Sequence, residues 1–248
     1  MPSASFRFYQ ELNDFLDSSC QKVEFRHVWK GRASIKDLIE SIGVPHTEVD
    51  LILVNGESVA FSYVVQEGDR ISVYPVFESM DVGTVSRLRP SPLRESRFVL
   101  DGHLGRLAAY LRLLGFDALW SSDLADPELA KISQEDERIL LTRDRGLLKR
   151  KAVTHGYYVR SPRPVDQLQE VVDRFDLRSR ALPFTRCTSC NGLLEAVPLA
   201  RIHHKLEPGT ATHYHQFWSC TSCGKVYWQG SHYRRIRQLL DPVLNPEP

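Results

Sequence analysis

The sequence predicts the α/β fold class, with a parallel strand–helix domain at its centre, a small mixed-β module ahead of it and a cysteine-bound ribbon behind it. Three observations predict this. Phe98-Val-Leu-Asp101 and Ile139-Leu-Leu-Thr-Arg-Asp144 are apolar runs that each end on an aspartate, and they alternate with stretches of helical periodicity, the pattern of parallel strands joined by helices. Ser5 to Tyr9 and Lys22 to Val28 alternate in the manner of strands, ahead of an Asn55-Gly56 hairpin signal. Cys187-Thr-Ser-Cys190 and Cys220-Thr-Ser-Cys223 repeat a metal-knuckle spacing across 29 intervening residues. With 248 residues and 42% hydrophobic content, the chain has room for two or three small cores.

In the front module, residues 4 to 78, the two alternating strands lead to a helix. Ser34 is its expected N-cap, Ile35, Leu38, Ile39 and Ile42 its apolar face, and Gly43 its stop. Val49 to Val54 is an apolar strand that meets the Asn55-Gly56 turn, and Val64 to Pro75 supplies a further turn and a last strand. The β-β-α-β-β order, with Val-Asn-Gly followed by Glu-Gly-Asp-Arg-Ile, resembles the ubiquitin-like β-grasp fold of the small sulfur-carrier proteins. Those carriers act through a free C-terminal Gly-Gly. Here the strand runs into Phe77-Glu-Ser-Met80 and the chain continues, so the module is expected to bind or support rather than to carry sulfur. Residues 81–96, with Gly83, Pro90 and Pro92, are an expected connection.

In the central domain, Asp101 precedes a helix whose inner face is Leu104, Leu107, Ala108, Leu111 and Leu114, with Gly115 as its terminator. Arg106 and Arg112 lie off that stripe, placing them on solvated surface or against phosphate. Phe116 to Trp120 is a second strand. Asp123 and Asp126 follow it, with Asp126-Pro127-Glu128 in the form of an N-cap, an N1 proline and an acidic first turn. Ile139 to Thr142 reads as a buried strand, Gly146 opens a helix, Tyr157 to Val159 is a fourth strand, and Val165 to Phe175 is a helix. Ligand crevices of parallel α/β sheets lie outside the carboxyl ends of the strands. Aspartates at successive strand ends would therefore converge, and hard carboxylate oxygens suit Mg²⁺ or Mn²⁺. Each aspartate taken singly also suits a helix cap. Arg143, Arg145, Lys149, Arg150 and Lys151 crowd around Asp144, as a site that draws in a phosphodiester requires.

In the tail, two Cys-x-x-Cys knuckles complete the tetrahedral shell that Zn²⁺ prefers, and four cysteines leave no open position, so the site is structural. His203, His204, His213 and His215 lie in the spacer and are expected at the surface or against RNA, and His103 and His155 are expected to be incidental. Phe217, Trp218, Tyr227, Trp228 and Tyr233 interleave with Lys225, Arg234, Arg235 and Arg237, a mixture that can stack bases and hold phosphates. Trp218 and Tyr227 are expected in the ribbon core, Ile236, Leu239 and Leu240 on the inner face of a closing helix, and Asp241 to Pro248 as a frayed end.

Residues 97 to about 240 resemble the PIN-like ribonuclease domain found at the C-terminus of the mut-seven exonuclease, a family whose bacterial members often carry a ubiquitin-like front module. The resemblance rests on Phe98-Val-Leu-Asp101, Leu104-Gly-Arg-Leu-Ala108, Leu111-Arg-Leu-Leu-Gly115-Phe-Asp117 and Ile139-Leu-Leu-Thr-Arg-Asp-Arg145. It implies a metal-dependent ribonuclease in which Asp101 and Asp144 match the family's acidic positions, and Asp123 and Asp126 are candidates for the rest.

Charge is divided in a way that fits. Residues 1–80 carry 7 Lys+Arg against 12 Asp+Glu, and residues 81–248 carry 25 against 19, so the back of the chain is the part suited to a polyanion. No apolar stretch approaches a membrane span, no leader pattern is visible at Met1-Pro-Ser-Ala-Ser, and paired cysteines suit a reducing compartment, so a cytoplasmic protein with no membrane association is expected. The expected divisions are a β-grasp domain at 1–80, a linker at 81–96, a PIN-like parallel-sheet nuclease domain at 97–180 and a Cys₄ zinc ribbon with tail at 181–248. The expected site is Asp101, Asp123, Asp126 and Asp144 around Mg²⁺ or Mn²⁺. Arg106, Arg143, Lys149, Arg150 and Lys151 are expected on RNA phosphates, and a protein partner is expected for the β-grasp domain. The rival expectation is a non-catalytic RNA- or ribosome-binding adaptor with a vestigial acidic site.

Overall fold

The computed structural model describes residues 1–75, 87–88 and 96–246; the connection expected at 81–96 falls outside them apart from 87, 88 and 96. The chain divides into two compact units. One combines Met1–Glu95 with Ala125–Tyr158, and the other combines Ser96–Leu124 with Val159–Pro248.

The front of the chain forms β1 (Ser3–Phe8), β2 (Phe25–Val28), α1 (Ile35–Ile42), β3 (Val49–Val54), β4 (Glu57–Ser58) and β5 (Arg70–Pro75). Their sheet runs β2-β1-β5-β3-β4, with β1 and β5 parallel and the other pairs antiparallel, which is the β-grasp arrangement. Helix α1 begins where its cap dictates. Ser34 Oγ accepts from the Asp37 N–H at 3.2 Å, the Asp37 carboxylate accepts from the Ser34 N–H at 3.3 Å, and Gly43 at φ +124° ends the helix. Its buried face, Ile35, Leu38 and Ile39, packs with Phe6, Phe8, Ile52 and Ile71 in one core. Each such side chain contributes about 1.5–3 kcal/mol on burial. Asn55 and Gly56 take positive φ (53° and 92°), as a two-residue hairpin between β3 and β4 demands.

Next come β6 (Phe98–Leu100), α2 (Gly105–Leu113), β7 (Ala118–Trp120), α3 (Asp126–Glu135), β8 (Ile139–Thr142), α4 (Arg145–Leu148), β9 (Gly156–Tyr158) and α5 (Pro164–Arg174). In the second unit β6 and β7 pair in parallel with Leu100 opposite Trp120; in the first unit β8 and β9 pair in parallel with Thr142 opposite Tyr158. All residues of β6 and β8 are buried, which explains why both read as unbroken apolar runs. Helix α2 buries Leu107, Ala108 and Leu111 and packs on α5, which buries Leu168, Val171 and Val172, while Phe98 meets Phe175 edge-on at 5.7 Å.

Two helix boundaries differ from expectation. Helix α3 is capped at Ala125 rather than Asp126, because the Glu128 carboxylate reaches back to the Ala125 N–H at 3.0 Å and Pro127 fits either of the first two helical positions. The segment beginning at Asp241 is not frayed throughout. Helix α8 continues through Pro242 to Leu244, because Val243 is buried and its carbonyl accepts from Arg178 Nε at 3.0 Å.

Gly115 ends α2 at φ +93°, and a Cβ there would run into the Leu182 carbonyl. Left-handed backbone costs a non-glycine residue about 1 kcal/mol, and overpacking costs about 1–3 kcal/mol more. Gly115→Ala should therefore destabilise the protein by about 2–4 kcal/mol, read as a lowered urea midpoint. Gly209→Ala, in open space without positive φ, should shift it by no more than about 0.5 kcal/mol.

The tail adds β10 (Leu194–Ala196), α6 (Leu199–Ile202), α7 (Pro208–His213), β11 (Phe217–Cys220), β12 (Val226–Trp228) and α8 (Ser231–Leu244), with β10-β11-β12 as an antiparallel sheet. Among the described residues no helix is long and apolar enough to cross a membrane.

Candidate metal centre and strand-end aspartates

The second unit holds Asp101 and Asp123. Because β6 and β7 are parallel and in register, the chain leaves both at the same end, Asp101 directly after Leu100 and Asp123 three residues after Trp120. Asp101 is half-buried and begins a single 3₁₀ turn, Gly102–Leu104. Trp120 fixes that turn by donating Nε1–H to the Gly102 carbonyl at 3.1 Å, and its ring lies where a side chain on Gly105 would sit, 2.6 Å from a Cβ built there. Asp123 is exposed and accepts from Ser122 Oγ at 2.9 Å.

The first unit holds Asp126 and Asp144. Asp144 is exposed at the end of β8 and caps α4, its Oδ1 accepting from the N–H groups of Gly146 at 2.6 Å and Leu147 at 3.4 Å. Its own N–H donates to Thr142 Oγ1 at 2.9 Å. Asp126 pairs with Arg150 at 3.6 Å. Among the described residues no trio of carboxylates approaches within 4.8 Å.

The basic residues divide into two sets. Arg106, Arg143 and Lys151 are exposed. Lys149 instead donates to the Glu40 carbonyl of α1 at 2.6 Å, and burial pulls its ammonium below its ordinary pKa. Arg145 donates to the carbonyls of Phe15 and Asp14 at 3.3 and 3.2 Å and lies over the rings of Phe15 and Tyr158. Within this unit the β-grasp module is thus seated on the β8–β9 segment. His46 reinforces the contact by bridging the Glu40 carboxylate at 2.6 Å and the Val153 carbonyl at 2.9 Å, and the buried Glu48 carboxylate accepts from the Tyr158 N–H at 2.6 Å.

The four cysteines come together as their spacing requires. Their sulfurs all lie within 4.8 Å of one another, with Cys187–Cys223 at 3.7 Å and Cys190–Cys220 at 3.3 Å. Tetrahedral Zn–S bonds of about 2.3 Å put sulfurs about 3.8 Å apart, so this donor set fits Zn²⁺. Two short turns build it: Cys187 N–H donates to the Gly192 carbonyl at 2.8 Å, and Gly224 N–H donates to the Cys220 carbonyl at 3.0 Å. The Tyr227 hydroxyl lies 3.0 Å from Cys187 Sγ. Burial raises the Cys187 thiol, but hydrogen bonds from Tyr227 and from backbone N–H groups of Cys190 and Ser189 outweigh it and bring the thiol down to about 6. His203, His204, His213 and His215 are exposed and stand outside the cluster.

Three residues that sequence reasoning did not assign serve this region. Arg112 is not solvated surface but 3% exposed. Its Nε donates to the Ala118 carbonyl at 2.8 Å and its Nη1 to the carbonyls of Thr188 and Ser189 at 3.0 and 3.2 Å. Asn191 accepts from the Ala118 N–H at 3.1 Å and donates to Asp117 at 2.7 Å. Trp120 braces the Asp101 turn as described above. The available signal was an arginine inside the otherwise apolar run Leu111-Arg-Leu-Leu114.

Comparison with known proteins agrees with this architecture. Residues 96–240 match the Mut7-C RNAse domain, and residues 1–81 match the Mut7-C ubiquitin domain. A search of curated proteins returns no match. Two solved structures align with part of the chain. The H. volcanii small archaeal modifier protein 1 shares 15% identity and a TM-score of 0.26, covering 31% of this chain and 100% of its own. A structure of SAMP1 from Haloferax volcanii also shares 15% identity, with a TM-score of 0.24, covering 32% of this chain and 99% of its own. The cysteine ribbon and the strand–helix core lie within the first match and the β-grasp module within the second, and the chain belongs to the Mut7-C RNAse domain family.

Proposed function

We propose that this protein is a metal-dependent ribonuclease that hydrolyses RNA phosphodiester bonds. The observation that carries the proposal is the placement of Asp101, Asp123 and Asp144 at or just beyond the carboxyl ends of parallel strands in a chain of an RNAse family. Asp101 and Asp144, with Asp123 or Asp126, would hold Mg²⁺ or Mn²⁺, and such an ion would supply an activated water and charge stabilisation for a departing 3′-oxygen. The turn held by Trp120 orients Asp101, and the α4 cap orients Asp144. Arg106, Arg143, Arg150 and Lys151 are exposed and are the cations offered to RNA phosphates. Arg150 would exchange Asp126 for phosphate, and Lys149 would join them on leaving the Glu40 carbonyl. The cysteine site takes Zn²⁺ and is structural, since four thiolates leave no open position. The cysteine pairs suit a reducing compartment, which supports a cytoplasmic location. The β-grasp module supports the Asp144 segment, and a protein partner for it belongs to this reading.

A second reading has its own observation. Asp144 already caps a helix, and Asp126 already pairs with Arg150. An RNA- or ribosome-binding adaptor with a vestigial site would look the same. Incubating end-labelled, partly structured RNA with purified protein, in Mn²⁺ or Mg²⁺ against EDTA, separates the two. Metal-dependent products that Asp101→Asn removes without loss of RNA affinity support the nuclease. Binding without cleavage in both proteins supports the adaptor.

A further inference from the structure

We infer that the metal-binding knuckle is the outer brace of strand β7 and of the Asp101 turn, and that Arg112, Asn191 and Trp120 are the positioning residues that transmit it. The inference rests on assigning a metal to the Cys₄ site, and it does not require that the protein cleave RNA.

The links are continuous within the second unit. Ala118 opens β7 opposite Phe98 of β6, but the Phe98 N–H donates to the neighbouring Asp117 carbonyl at 2.8 Å, so in this parallel pairing Ala118's own N–H and C=O face away from β6. Both are taken by knuckle-linked side chains: Asn191 accepts from its N–H at 3.1 Å, and Arg112 Nε donates to its C=O at 2.8 Å. An exposed strand edge would otherwise present unpaired donors and acceptors. The same guanidinium reaches the knuckle through the Thr188 and Ser189 carbonyls, which lie between two of the metal ligands, Cys187 and Cys190. At the far end of β7, Trp120 holds the Gly102 carbonyl next to Asp101.

Charge explains why this buried residue is an arginine. A metal with four thiolates carries a net charge of about −2 for Zn²⁺, and a buried charge is tolerated where it is compensated. Arg112 is buried among Cys187, Cys190 and Asp117; burial lowers its pKa from the ordinary value, and these neighbours act to raise it. Its planar fork also serves three carbonyls at once, which a lysine ammonium on a flexible stem does not reproduce.

The test is hydrogen exchange on the full chain, with zinc counted per chain beforehand. Chelating zinc from the wild type should speed exchange at least tenfold at Ala118–Trp120 and Gly102–Leu104, while β3 in the other unit is unchanged. Arg112→Lys should still bind one zinc, and its Co²⁺-substituted form should keep the wild-type thiolate spectrum. Its β7 and Gly102 amides should already exchange fast and respond little to chelation. That loss of coupling separates positioning from general support. Should Arg112→Lys fail to fold, Asn191→Gly serves in its place, because glycine accepts the +71° φ of that position and removes only the side-chain links. Chelation that loosens residues 187–228 alone would overturn the inference. So would a wild-type chain that binds no zinc, because the inference rests on a metal at the Cys₄ site; that failure is read from the zinc count and is distinct from failure of the exchange experiment.

Discussion

Asp144→Asn is expected to cut metal-dependent RNA cleavage by about 10³-fold or more while leaving the fold intact. On the proposed reading the carboxylate has two duties, one in the helix cap and one toward a cation. Oδ1 accepts from the Gly146 and Leu147 N–H groups and starts α4. The negative charge is what a hard cation needs. Asparagine keeps a carbonyl oxygen and ranks with aspartate as an N-cap, so the helix start survives. What is lost is a charged ligand to a cation worth several kcal/mol to the transition state, and about 4 kcal/mol corresponds to about 10³-fold in rate. Asp144→Ala should lose the same activity and about 1 kcal/mol of stability as well, because its cap is gone. Rates with Mn²⁺, RNA affinity and urea midpoints on the three proteins check this. Equal cleavage by wild type and Asp144→Asn would remove Asp144 from the chemistry, and equal RNA binding by both is expected in any case.

Local signals carried much of the fold in the sequence. The Ser34 cap, the Gly43 stop and the Asn55-Gly56 turn each act over four residues or fewer, and each stands where it was expected; the return bond from Asp37 to Ser34 is a detail the structure adds. The cysteine cluster was equally plain, because two knuckles of fixed spacing admit few other uses. What the sequence concealed depends on partners far along the chain. Arg112 falls off the apolar stripe of its own helix, and its burial comes from carbonyls 76 and 77 residues away. Lys149 looked like one more cation beside Asp144, yet its partner is a helix-end carbonyl 109 residues away in the β-grasp module. Asp126 is a different case. Its sequence Ala125-Asp-Pro-Glu128 admits two cap positions one residue apart, and the reach of the Glu128 side chain decides between them. The acids themselves were legible as strand-end residues, since that follows from the apolar runs before them.

The cysteine site is where a single atom change should have the largest effect on stability. Cys220→Ser is expected to abolish stoichiometric zinc binding and to unfold the ribbon, residues 187 to 228, whereas Cys20→Ser should retain both the zinc and the ribbon. The ribbon has little else to stabilise it. Its three strands span three or four residues each, Leu193 and Trp228 are exposed, and among the described residues Ile202 and Phe217 are, with the ligands Cys187 and Cys220, its buried apolar groups. So few side chains contribute a few kcal/mol each at most, against about 1–2 kcal/mol of backbone entropy for every residue ordered. Structural zinc contributes on the order of 10 kcal/mol in small domains of this kind, and serine is a poor replacement for a thiolate ligand. Cys220 is also the residue from which the second knuckle turns, its carbonyl accepting from Gly224 N–H and its sulfur lying 3.3 Å from Cys190. Limited proteolysis should therefore cut the variant within 187–228 under conditions that spare the wild type, and chelation of the wild type should reproduce the same cuts. A Cys220→Ser protein that kept one zinc and resisted protease would show that three cysteines suffice, and would make the site an open one.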